Sequence, residues 1–149
     1  MSDTRQFCTL HLAGHLFGVP VMRVQEVISY QVMTRVPLAH DVIGGLINLR
    51  GQIVTAIDLR KRLEFPERDA DQRAMNVVVH TPGGVVSLLV DAIGDVVEVE
   101  DTIYEAPPET LAGVAKDLIL GVYKFEDHLL LELDIDKAVN IDAPLELVA

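Results

Sequence analysis

Val42 to Leu63 reads VIGGLINLRGQIVTAIDLRKRL. Ile43 to Leu49 is apolar and rich in β-branched residues, which suits a strand. Arg50-Gly51 marks a tight turn, because glycine accepts the positive φ that short hairpins demand. Gln52 to Ile57 returns as a second strand, and Asp58 stands at the N-cap of a short helix, Leu59 to Leu63. The same layout recurs 76 positions later without a gap. Gly45 falls on Gly121, Ile53 on Leu129, Ile57 on Leu133, Asp58 on Asp134 and Leu59 on Ile135. One unit has been used twice.

The segments before this unit repeat as well, at an offset of 69. His11 meets His80, Gly14 meets Gly83, Val21 meets Val90, Val24 meets Ile93, Glu26 meets Asp95 and Val27 meets Val96. The offset changes because the second half holds seven extra residues, placed most simply between Pro107 and Asp117. Gln6 to Leu12 alternates as a strand buried on one face, and Leu16 to Val21 follows as a strand with Pro20 near its end. Val21, Val24 and Ile28 fit a short helix or an irregular crossing, and Tyr30 to Val36 returns to strand. Glu64 to Arg73, EFPERDADQR, has the polarity of an exposed link. Further strands are expected at Asn76 to His80, Val85 to Val90, around Val96 to Val99, Leu118 to Phe125 and His128 to Leu133, with a loop or single turn after Pro107 and a short helix from Asp134 to Val139. About five short strands per half, punctuated by Gly and Pro, predict an all-β fold of two small antiparallel barrels. The expected subdomains are 1–73 and 74–149, with the N-terminal strand allowed to cross to the second.

Composition narrows the function. Half the residues are hydrophobic, yet no apolar run reaches the roughly 20 residues of a membrane span, and MSDTRQF lacks the pattern of a signal peptide. The single Cys8 excludes an internal disulfide and favours a cytoplasmic address. Net charge is −11 and uneven: residues 1–73 hold nine Lys/Arg against eight Asp/Glu, a net of +1, and residues 74–149 hold three against fifteen, a net of −12. Such a chain does not suit nucleic acid or an anionic membrane. The asymmetry reads either as two different faces for partners or as a merely solvated acidic half.

No catalytic, metal or cofactor constellation is visible. His11 and His15 are four apart but fall in a strand and its turn, and neither a following Glu nor a second Cys accompanies them. Cys8 reads as a small buried hydrophobe, Asp134 as a helix cap, and Arg60-Lys61-Arg62 as a solvated basic face. Arg50, at a hairpin tip, is either an interface anchor or half of a structural ion pair. Val24, Val27 and Ile28 beside Glu26 are either core or the lining of a groove for a partner helix.

FCTLHLAGHLFGVP from Phe7, VQEVI from Val24, IGGLINLRGQIVTAIDLR from Ile43 and VDAIGDV from Val90 together resemble the CheW-type chemotaxis coupling family, from about Phe7 to about Val139. The resemblance implies two SH3-like, five-stranded barrels with short helices forming one CheW-like domain. It implies a non-catalytic adaptor, without cofactors, that joins the cytoplasmic tips of chemoreceptors to the regulatory domain of a CheA-type histidine kinase in receptor arrays at the inner membrane. Partner-binding positions carried over by motif are Val24, Glu26, Val27, Gly45, Arg50 and Gly51, with Ile93, Asp95 and Val96 in the second barrel. An adaptor of a kinase array outside chemotaxis, or a stand-alone ligand- or peptide-binding double barrel, is the alternative.

Overall fold

The computed structural model describes residues 4–29, 31–37, 41–69, 72–100, 104–105 and 117–140. The strands are β1 (Thr4–Leu12), β2 (His15–Pro20), β3 (Val24–Ile28), β4 (Ile43–Leu49), β5 (Gln52–Asp58), β6 (Met75–Thr81), β7 (Gly84–Val90), β8 (Ala92–Glu100), β9 (Tyr104–Glu105), β10 (Ile119–Lys124) and β11 (Leu129–Leu133). Two short helices, α1 (Leu59–Arg62) and α2 (Ile135–Val139), follow β5 and β11. Each begins at the expected aspartate: Asp58 accepts from the Arg60 and Lys61 amides, and Asp134 accepts from the Lys137 amide. The loop or turn expected after Pro107 lies outside the described residues, as does the chain beyond residue 140. Among the described residues no helix is long and apolar enough to cross a membrane.

The fold is all-β and its strands form two sheets. One runs β8-β1-β2-β11-β10-β9 and is called barrel A; the other runs β3-β6-β7-β5-β4 and is called barrel B. Barrel B has the expected five strands, and barrel A adds the two-residue β9. The repeat holds down to single hydrogen bonds. Asn48 pairs with Ile53 in barrel B, and their equivalents at an offset of 76, Lys124 and Leu129, pair in barrel A. The parallel pair Ala56 with Ser87 recurs as Glu132 with Gly18. Even the irregularities coincide, since β4 breaks register between Ile43 and Gly45 and β10 between Ile119 and Gly121.

The strands do not part at 73/74. Hydrogen bonds join β3 to β6 and β5 to β7 across that point, so barrel B is built from residues 24–90. Barrel A takes β1 and β2 from the start of the chain and β8 to β11 from its end. The chain therefore crosses between the barrels at Val21–Arg23 and again at Asp91.

Three local expectations are corrected. Val21 to Ile28 is helical only at its start: a short 3-10 helix spans Val21–Arg23, as one of the two expected readings allows, but Val24–Ile28 is a strand because β6 offers it a hydrogen-bonding edge. In the expected strand Tyr30 to Val36, of which Tyr30 lies outside the described residues, Thr34 alone pairs, giving and accepting one backbone bond with Leu46. Finally, β1 is buried on both faces rather than one. Cys8, Leu10 and Leu12 enter a large core shared with β6, β7, β10, β11 and both helices. Phe7 turns the other way, against Val99, Tyr123 and Leu130 inside barrel A. Ile47, Leu49, Val54 and Val78 fill barrel B. The link from Glu64 is also anchored, since Phe65 packs on the shared core and stacks on His15 with centroids 5.3 Å apart.

Candidate functional site

The β4-β5 hairpin presents Arg50 at its tip. Arg50 and Gly51 both take positive φ, 52° and 88°, the pair of left-handed residues that a two-residue turn requires if its twist is to match the strands. Asn48 holds the turn by accepting from the Gly51 amide at 2.8 Å. From there the guanidinium reaches Glu26 on β3 with two hydrogen bonds of 2.5 and 3.1 Å. Because β3 and β4 are the opposite edges of the barrel B sheet, this bidentate pair clasps one edge to the hairpin that ends the other. The Arg50 hydrogen bonds hold the Glu26 carboxyl below its usual range, against a smaller opposing effect of burial, and Glu26 raises the Arg50 guanidinium in turn. Arg50 is 69% exposed and Glu26 23% exposed, so the clasp stands at the surface.

The other expected positions divide into groups. Val27, the residue after Glu26 on β3, is 39% exposed, and Ile53, two residues after Gly51 on β5, is 60% exposed. Val24 is half-buried and leans on the shared core. Gly51 has open space around it, whereas Gly45 is buried: a Cβ there would stand 2.9 Å from the Thr34 carbonyl oxygen. Gly45 is thus a packing position that lets residue 34 approach β4. Ile93, Asp95 and Val96 lie on β8 of barrel A. Ile93 packs on the same shared core as Val24, Asp95 is exposed while its carbonyl accepts from the Thr9 hydroxyl at 2.6 Å, and Val96 is 57% exposed.

Other charged groups were hidden in the sequence. Arg60, expected on a solvated face, instead binds Asp91 through two hydrogen bonds of 2.8 and 2.5 Å. Arg62 caps α2, donating to the Ala138 and Lys137 carbonyls. Asp91 also accepts from the Ala13 amide at 2.9 Å and lies 3.3 Å from Arg68, so it ties the β1-β2 turn, α1 and the link to the crossing point. Burial alone would raise its pKa; the Arg60 and Ala13 hydrogen bonds and the two arginine charges outweigh that and hold it below the ordinary carboxylate range. At the other crossing Arg23 binds Asp136 at 2.6 Å. Inside barrel A the buried Glu132 accepts from Arg5 at 2.9 and 3.1 Å, and Arg5 also donates to Tyr123. Placing these pairs needs the strand order, although the repeat that aligns α1 with α2 points toward it. Cys8 is buried, which pushes its thiol up and leaves it a packing residue.

A family model described as a CheW-like domain matches residues 6–142, and the chain belongs to that family. It is 33% identical over 130 residues to the chemotaxis protein CheW of Bacillus subtilis, covering 85% of this chain and 81% of that protein. Its identity to the chemotaxis protein CheW of Klebsiella aerogenes is 28% over 136 residues, covering 91% and 82%. The crystal structure of the scaffolding protein TtCheW from Thermoanaerobacter tengcongensis superposes with a TM-score of 0.83 at 26% identity, over 94% of this chain and 95% of that one.

Proposed function

We propose that this CheW-like chain is a non-catalytic chemotaxis adaptor that couples the cytoplasmic tips of chemoreceptors to the regulatory domain of a CheA-type histidine kinase. Family membership across residues 6–142 carries the reading. The surface around the hairpin tip supports it: a rigid backbone turn, an exposed bidentate ion pair and the apolar residues Val27 and Ile53 combine a charged anchor with area to bury. Carboxylates such as Glu26 and Asp91 are held ionised by arginines, an arrangement for fixing shape rather than for moving protons near neutral pH. In this reading Val24, Glu26, Val27, Arg50 and Gly51 form one docking area, shaped from behind by Gly45, and Ile93, Asp95 and Val96 belong to a second on the other barrel. The adaptor works in the cytoplasm, recruited to receptor arrays at the inner membrane.

Co-sedimentation with a receptor cytoplasmic fragment and with a CheA-type regulatory domain tests this over a salt series. Arg50→Ala and Val27→Asp should each weaken capture severalfold while urea unfolding stays cooperative. Binding that merely tracks stability across the variants would assign these residues to the scaffold and remove the docking area.

A further inference from the structure

Among the described residues, each half of the chain holds two hairpins and a strand, β3 or β8, that pairs only with the other half. Pairings within the first half are β1-β2 and β4-β5; within the second, β6-β7 and β10-β11, with the short β9 beside β10. The pairings that join hairpins into sheets, β1-β8, β2-β11, β3-β6 and β5-β7, all run between the halves. Because the repeat preserves register, the backbone edges of one half fit a copy of itself as well as they fit the other half. Something other than main-chain hydrogen bonding must choose.

Charge makes the choice. In Arg5 with Glu132, Arg23 with Asp136, Arg60 with Asp91 and Arg68 with Asp91, the cation comes from the first half and the anion from the second. Substituting repeat equivalents shows what like-with-like pairing would do. Two first halves would set Arg23 against Arg60 and leave Arg5 against Ala56. Two second halves would set Asp91 against Asp136 and leave Glu132 against Ala74, with net charges of −12 repelling. We infer that residues 1–73 and 74–149 are complementary recognition partners, and that the charge asymmetry of the sequence specifies unlike pairing of two backbones that could otherwise pair with themselves.

A protease site inserted after Asp69 in the full chain, cut in the folded state, tests this. The cut protein is unfolded in urea, refolded, and weighed by native mass spectrometry. The expected product is the one-to-one complex of unlike fragments, with like pairs about a hundredfold rarer. Arg60→Asp should weaken reassembly about a hundredfold, as breaking a partly buried pair does. Arg23→Asp at the more exposed crossing should weaken it about threefold, with recovery when Asp136→Arg is added. Like pairs formed at chance frequency overturn the inference, as does a swapped double variant no better than its worse single. Should the cut chain fail to refold, the same double-mutant cycle on the uncut protein decides by urea unfolding: absence of coupling between Arg23→Asp and Asp136→Arg overturns it equally.

Discussion

Barrels A and B share strand order, register and even the position of a bulge, yet each sets its polar pair at a different place among apolar residues. Where barrel A pairs the buried Glu132 with the partly exposed Arg5, which also donates to Tyr123, barrel B has the repeat equivalents Ala56, Ala74 and Ile47. Where barrel B buries a hydrogen bond from Ser87 to Asn76 at 2.7 Å, barrel A has Gly18 under Phe7. The tips diverge too. Barrel B sets Arg50-Gly51 against Glu26, while the same positions of barrel A are Glu126-Asp127 and Asp95, three acids. A β-sheet is held by backbone bonds and by an apolar pattern, so these suffice to reproduce the frame. Polar pairs inside it can move from place to place provided both members move together, because a lone buried charge is far more costly than a pair. At the two turn positions barrel B carries a cation and barrel A two acids, which is why the two ends present different surfaces.

The largest expected effect comes from unpairing barrel A. Arg5→Ala leaves Glu132 buried without its partner and should destabilise by about 3 kcal/mol in urea unfolding, the low end for a broken buried pair because Arg5 is 39% exposed. Adding Glu132→Ala copies barrel B and should restore part of that loss; a double variant as unstable as the sum of the singles would show that the interiors are not interchangeable. Next come the equivalent glycines. Gly45→Ala should destabilise by about 2 kcal/mol, because the obstacle is a backbone carbonyl on residue 34. Gly121→Ala collides with the Tyr104 side chain, which can turn away, and should cost less. An equal or reversed order would mean that β9 holds its ring more rigidly than the bridge holds Thr34.

A smaller effect concerns the crossings. The folded pKa of Asp91 is lowered, so its contribution to stability is fully present above the ordinary carboxylate value of about 4 and is lost as pH falls through the folded value. Asp91→Asn should therefore flatten the acid limb of the stability curve, and an unchanged acid limb would contradict the role assigned to this carboxylate. Smallest of all, Glu26→Ala and Arg50→Ala should leave the urea midpoint nearly unchanged at high salt, since exposed pairs contribute little to stability. A large loss there would turn the clasp of barrel B into a structural counterpart of the Arg5-Glu132 pair and end the contrast between the two.

By itself the sequence determined what is local and periodic. The hairpin at Arg50-Gly51, the Asp58 and Asp134 caps, the all-β class and the doubled unit are legible because each depends on neighbours within a few positions or on a repeat that can be counted. Glu26 and Arg50 were legible as a motif, while their mutual bonds were one of two open readings. Only the tertiary structure decided which half supplies each strand, that β1 is buried on both faces, and that Arg5, Arg23 and Arg60 each face an acid more than 30 residues away. Hairpins fold on their own turn chemistry, but the sheets that join them close over long separations, and no short window of sequence records which of two equivalent edges a strand will meet.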